Sequence, residues 1–480
     1  MTRRRSPRWS GRLRGVLRSA LALSLLVGTA SAHEIHSSRF ESPIPLGLLF
    51  AGAGLTVAVT AFVSARYVGG EAGFTRRYGL LSRAWARRLR TVARALAVVL
   101  LVVVLVRGFV GPQVRAENVA TVVVWPLWLD GLALLAALVG SPWRVLSPWR
   151  TAYDALCRLE GEPIALLGDY PDALGRWPAM VGFVALVGVL ENLSVVPRSP
   201  RLTALLVAGY ALYMLVGALA VGETFFERAD PVGVFLSLFQ RVAPLGLARE
   251  DGYALVVRAP WRGCVEALAA PGAVAFVVTT VFTVSFDGFT STPSFQGLVL
   301  WAASVLGLPT GLAGVVLYAV GLLGFVAAFL GVVRTVAWAG GGHRANGDPA
   351  ADGGARRGAG SLARAFAPTL LPIAVGYEFA HYSTYVVTNA GQFVHVVDGW
   401  FVAAPPELHV LAWLSLPVYW GFEVLCIVVG HVVAVVAAHY VARGQFDSAR
   451  AAWRAHLPLV VLMVGYTVLS LWIVSRPVVA

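Results

Sequence analysis

The segment Leu370–Ala390 reads LLPIAVGYEFAHYSTYVVTNA. It is long and apolar enough to cross a bilayer, which takes about 20 residues. It nevertheless carries Glu378, His381, Tyr382, Tyr385 and Asn389. On a helix these positions fall at i, i+3, i+4, i+7 and i+11 and form one polar stripe. Ionisable groups at membrane depth are costly and usually face a cavity or a partner. A Glu and a His three residues apart can share a metal ion or pass a proton. The plainer alternative is a hydrogen-bonded pair that pins helix packing. Glu378, His381 and Tyr385 are therefore the candidate catalytic groups. Glu378 would act as ligand, base or orienting partner, and the tyrosines as donors to a developing oxyanion.

Further His and acid residues stand near the ends of other apolar runs. Asp287 lies in FDGFTSTP, where Asp-Gly and Thr-Pro read as a turn. Glu191, His395 and Glu423 are additional polar candidates, and His395 is expected with Asp398, Glu407 and His409 in the loop after the Phe366–Ala390 run. Asp130 and His431 sit deep in their runs and read either as locally bonded groups or as a proton path. Residues 1–32 read as a signal peptide: an Arg-rich start, a short apolar run, and Ala30-Ser31-Ala32. Cleavage there makes His33 the first residue, followed closely by His36. A terminal amine and two imidazoles suit copper or zinc. The expected metal set is His33, His36, Asp287 and His381, holding a divalent transition ion, zinc or copper. The plainer reading leaves both N-terminal histidines on a solvated tail.

The elements that must position these groups follow from composition. The chain is 58% hydrophobic and only 13% charged. Repeated apolar runs make it an all-α polytopic transmembrane bundle over residues 33–480. About ten spans are expected: Pro45–Ala65, Ala95–Val110, Val119–Val139, Pro178–Val196, Leu202–Val221, Gly272–Phe286, Leu312–Val332, Phe366–Ala390, Pro417–Tyr440 and Leu457–Ile473. Leu298–Leu308 is apolar but short, and reads as re-entrant, interfacial or an extension of the seventh span. Cys157, Cys264 and Cys426 are too scattered for a disulfide framework or a thiolate metal cluster.

The net charge of +13 first suggests nucleic acid, but the arginines cluster between apolar runs as topology signals do. The positive-inside rule then puts the mature N-terminus and the C-terminus outside the cytoplasm of a plasma-membrane protein. In that topology His381, Asp287, Glu191, Glu423 and the N-terminal histidines all fall in the extracytoplasmic half. Among inner segments, SPWRVLSPWR at 141–150 reads as Trp and Arg anchors at the lipid interface. Glu227–Leu245 reads as an amphipathic surface helix opened by Asp230-Pro231. Gly340–Gly360, rich in Gly, Ala, Asp and Arg, reads as a disordered linker.

Several stretches occur in one order that resembles a bacterial and archaeal family of integral membrane proteins named after fenitrothion hydrolase. They are the His-led start, SPWRVLSPWRT at 141–151, YPDALGRWP at 170–178, FERADPVGVFLSLFQRVAPL at 226–245, FDGFTSTP at 286–293 and LPIAVGYEFAHY at 371–382. The resemblance implies hydrolysis of an organophosphorus ester at the membrane. The start here, HEIH, departs from the family in the residues between the histidines. No H-E-x-x-H, G-x-S-x-G or Walker A motif occurs, which argues against a zincin, a serine hydrolase and a nucleotide-driven pump. Three functions compete: a metal-dependent hydrolase acting on a small molecule, a transporter or metal permease, and a non-catalytic assembly protein.

Overall fold

The computed structural model describes residues 44–70, 72–249, 253–340 and 358–476. The expected signal peptide, His33, His36 and most of the expected linker lie outside the described residues.

Among the described residues, nine helices are long and apolar enough to cross a membrane. They are α1 (Leu46–Tyr67), α2 (Arg83–Val110), α3 (Val119–Val139), α7 (Pro200–Val221), α10 (Ala273–Thr290), α12 (Thr310–Ala339), α13 (Ala359–Asp398), α14 (Leu416–Gln445) and α15 (Ala449–Val474). Between them lie α4 (Trp143–Leu146), α5 (Pro148–Glu160), α6 (Trp177–Glu191), α8 (Thr224–Arg228), α9 (Pro231–Phe239) and α11 (Pro293–Leu306). The chain is a multi-pass helical membrane protein. The fourth expected span corresponds to α6, whose helix is shorter than the other nine and ends at Glu191, within the expected bounds. The chain after α6 turns through a 3-10 segment at Val196–Arg198 before Pro200 opens α7.

The helices divide by burial. α10 and α13 are mostly enclosed, whereas α1, α2, α7 and α12 leave most of their apolar side chains uncovered, as lipid-facing helices do. α13 and α14 cross at glycines. A Cβ on Gly376 would sit 2.5 Å from the Cys426 carbonyl oxygen, and one on Gly430 would sit 2.5 Å from the Pro372 oxygen. Small residues of this kind let membrane helices approach closely. That contact fixes the stripe of α13 against Tyr419 and Glu423 of α14.

One small sheet departs from the all-α expectation. β1 (Thr75–Leu81), β2 (Leu245–Arg249) and β3 (Tyr253–Arg258) pair antiparallel in the order β1-β3-β2. Thr75 lies opposite Arg258, and Leu245 opposite Val257. The sheet joins two loops that the topology argument puts on one side. Other contacts gather the remaining such loops at the same end. Arg94 meets Asp154 at 2.9 Å, Leu268 N donates to Arg364 O at 3.0 Å, and His439 Nε2 lies 3.2 Å from Val68 O.

Two expectations about this end are corrected. Trp143 and Trp149 are buried rather than spread on lipid, stacking edge-on with each other at 5.5 Å and with Trp128. Arg150 is likewise enclosed and pairs with Glu223. α9 is not a surface helix either. Its apolar residues cover every side, so it packs into the core, with Val234, Phe235, Leu236, Leu238 and Phe239 all buried. Asp230 caps it by accepting from Gly233 N at 2.9 Å.

Candidate functional site

The polar stripe of α13 points into the bundle. Glu378 and Tyr382 are buried, and His381 keeps only 10% of its side chain exposed. The partner of His381 is not Glu378 but Asp287, on α10. His381 Nε2 lies 3.0 Å from Asp287 Oδ2, and Tyr382 donates its hydroxyl to the same oxygen at 2.6 Å. Imidazole, phenol and carboxyl therefore meet across two helices. No Glu378–His381 bond forms among the described residues; Glu378 instead lies within electrostatic reach of Asp287, Asp130 and Glu191.

Asp287 also departs from the turn expected of Asp-Gly. α10 runs on to Thr290, so Asp287 is helical and 1% exposed. Gly288 is needed there for packing: a Cβ at this position would collide with the Tyr377 hydroxyl. Membrane burial lets the helix continue, since its backbone groups have no water to turn towards.

Two further carboxyls join from helices whose winding changes at the same level. Val124–Gly131 within α3 and Val184–Glu191 within α6 are π-helical, and they carry Asp130 and Glu191 near their ends. Such π turns re-aim side chains and recur at functional sites. Asp130 and Glu191 are each 3% exposed. Asp130, Glu191, Asp287 and Glu378 lie close enough for each to act on another's charge. Asp130 Oδ2, Glu191 Oε2 and both amide atoms of the neighbouring Asn192 have no hydrogen-bond partner among the described residues. A set of carboxyls in so apolar a setting requires protons or a cation to balance it.

The rim carries Tyr385, Glu423 and Arg115. Arg115 Nη2 donates to the Tyr385 hydroxyl at 3.3 Å. Glu423 is buried beside Tyr419 and within electrostatic reach of His381. Tyr419 in turn donates to the Ala380 carbonyl at 3.2 Å, tying α14 to α13. His395 is not brought in. It lies in the last turns of α13 rather than in a loop, and its Nδ1 is 3.1 Å from Pro406 O. His409 and Glu407 form an exposed pair at 3.5 Å, away from the buried set. Asn389 returns to its own helix, donating to the Tyr385 carbonyl at 2.8 Å.

Of the expected metal ligands, Asp287 and His381 adjoin, while His33 and His36 lie outside the described residues. Among the described residues, no group of three or more His, Cys, Asp or Glu side chains is placed to hold a metal ion. Sequence reasoning treated Asp130 mainly as a locally bonded group and did not join it to Glu191. The signal was one acid per apolar run, which shows that each is unusual but not that they meet. His431 is separate: its Nδ1 lies 2.8 Å from Ile427 O, and its ring is 6.0 Å from that of Tyr466. No protein-family model, curated protein or solved structure matches the chain.

Proposed function

We propose that the chain is a membrane-embedded hydrolase of organophosphorus or related esters, in which Asp287 and His381 activate water. The observation that carries this reading is the contact of His381 Nε2 with Asp287 Oδ2 at 3.0 Å, inside a buried polar cluster. A carboxylate on one ring nitrogen fixes the tautomer and leaves Nδ1 to take a proton from water. Tyr382 holds the same carboxylate oxygen and so fixes its direction. Tyr385, with Arg115 against its hydroxyl, brings a donor and positive charge to the place where negative charge would develop. Glu378 stands one turn away as a proton acceptor. Asp287 and His381 give only two donors, and His381 uses both ring nitrogens in this scheme, so among the described residues the pair does not fit a zinc or copper ion.

The resemblance noted in the sequence supports the substrate class. The gathering of the arginine-rich loops at one end supports a plasma-membrane topology with that end in the cytoplasm and both mature termini outside. The test is release of the phenol from an aryl phosphotriester by the purified protein, with metal content measured alongside. Activity should depend on His381 and Asp287. Full turnover in folded His381→Ala and Asp287→Asn proteins would rule this reading out.

A permease is the second reading, favoured by the four carboxyls drawn from α3, α6, α10 and α13. A polar series leads away from them: Tyr466 bonds Ser285 at 2.6 Å, and His439 and His456 lie ring to ring at 5.9 Å. Proteoliposome flux of protons, zinc or copper, abolished in Asp130→Asn, would favour it over hydrolysis.

A further inference from the structure

A cavity of about 1030 Å³ opens at the sheet end, between α2, the sheet and the segment leading into α10. Arg90, Arg176, Arg241 and Arg258 line it, with Glu266 as the one acid in its wall among the described residues. Leu238 and Leu268 contribute buried apolar surface. A second cavity of about 240 Å³ adjoins it and shares Arg176, Ser141, Ser237 and Gln240.

The four arginines are not equivalent. Arg258 is committed to the backbone, donating to Ala243 O at 2.9 Å and Gln240 O at 2.6 Å. Arg241 donates to Glu266 O at 2.9 Å and lies 3.9 Å from its carboxylate. The Arg176 side chain makes no hydrogen bond or ion pair among the described residues, although it is half-buried and lines both cavities. Arg90 makes none either. Burial, with Arg241 and Arg228 nearby, draws the Arg176 guanidinium below its usual value. A guanidinium stays charged in proteins, and although Glu227 opposes the shift and lines the second cavity with Asp230, neither forms an ion pair with Arg176 among the described residues.

A cavity with charged donors at one side and leucines at the other suits a ligand with a compact anionic head and an apolar tail. Guanidinium groups bind phosphate in a bidentate fork. The arginine-bearing end of a transmembrane bundle also lies at headgroup depth. We propose that this cavity binds the phosphate group of an anionic amphiphile, with Arg176 as the anchoring cation and Arg90 closing on the same group. This inference is independent of the hydrolytic reading, because none of the cavity's residues belongs to the buried acid cluster.

The test uses the full chain, purified in a non-ionic detergent and stripped of lipid. Dioleoyl-phosphatidylglycerol, dioleoyl-phosphatidylcholine and inorganic phosphate are titrated separately, with native mass spectrometry and thermal unfolding as readouts. The glycerol lipid should bind about tenfold tighter than the choline lipid, and Arg176→Gln should remove about that preference. Arg90→Gln, a change at an exposed residue, should keep the wild-type unfolding midpoint without lipid and weaken binding about threefold. Stabilisation by inorganic phosphate that disappears in Arg176→Gln would support the same site with free phosphate as the source. Binding of the glycerol lipid without any response to phosphate would support it with the bilayer as the source. Equal binding of the two lipids with no response to phosphate overturns the proposal. So does wild-type binding in Arg90→Gln, whether or not Arg176→Gln folds.

Discussion

The bundle interior and the sheet end handle charge in opposite ways. Inside, acids arrive singly: Asp130 from α3, Glu191 from α6, Asp287 from α10 and Glu378 from α13. They are buried, and one oxygen each of Asp130 and Glu191 has no hydrogen-bond partner among the described residues. At the sheet end, arginines arrive in numbers, and several are spent on carbonyls or on Glu223 and Glu266. The first arrangement concentrates unbalanced charge where water is scarce, which is the condition for proton or cation chemistry. The second spreads charge where water and headgroups can screen it, which serves orientation and ligand capture.

If that contrast is correct, removing one acid disables the chemistry while removing one cavity arginine does not. Asp287→Asn should lower ester hydrolysis by about 10²–10⁴-fold, the usual contribution of general acid–base catalysis. Arg176→Gln should leave it unchanged. Steady-state rates on one aryl phosphotriester decide between them. Equal losses in both variants would mean that the two regions are one functional unit.

The wetness of the sheet end can be measured through its cysteine. Cys264 is fully buried beside Arg241 and Arg258. Burial outweighs those two cations and pushes the thiol up to about 12. At pH 8 almost none is thiolate, the reactive form, so alkylation of Cys264 should be at least about a hundredfold slower than that of the half-buried Cys157. Raising the pH through 10 should speed Cys264, because more of it ionises. Mass spectrometry of timed digests reads both rates. Fast labelling at pH 8 would show that water reaches further between the arginines than this packing allows.

How much of this was legible in the sequence follows the same division. Hydropathy located the helices, because a bilayer imposes one length on them. It also located α6, but not that its helix ends at Glu191 and gives way to irregular backbone around Val196–Arg198. The stripe on α13 was readable because helical period alone groups Glu378, His381, Tyr382 and Tyr385. Which acid His381 would meet was not readable, since Asp287 comes from a helix about ninety positions earlier and Asp-Gly mimics a turn. The sheet escaped notice because TRRYGLL and LGLAR carry little alternation. SPWRVLSPWR was misread for a related reason: Trp beside Arg is the pattern of both an interfacial anchor and a buried aromatic cluster.

A glycine comparison sharpens the two regions as packing environments. Gly376→Ala drives α13 from α14 and should destabilise the protein by about 1–3 kcal/mol, the range for overpacking. Gly246→Ala, in β2, meets nothing within 4 Å and should stay within about 0.5 kcal/mol. Thermal unfolding in detergent, with urea titration as a second measure, checks both. A large loss at Gly246 would mean that the sheet packs against something in the folded protein.

The smallest expected effect compares two acids directly. Asp230 resembles the interior acids in burial, yet it is supplied with donors: Trp143 Nε1 at 2.7 Å, Gly233 N at 2.9 Å, and the Tyr210 hydroxyl. Burial still outweighs these donors and lifts its carboxyl above the usual range. Trp143→Phe removes one donor while keeping an aromatic ring against Trp149, and should cost about 1 kcal/mol of stability. Asp130→Asn removes no hydrogen bond made by the described residues and relieves repulsion from Glu191, so stability should hold or rise by about 0.5 kcal/mol. Unfolding midpoints of the two variants, measured together, separate an acid held for structure from one held for chemistry. A loss in Asp130→Asn as large as that in Trp143→Phe would place Asp130 in the first group and leave Asp287 and His381 to carry the site with Glu191 and Glu378.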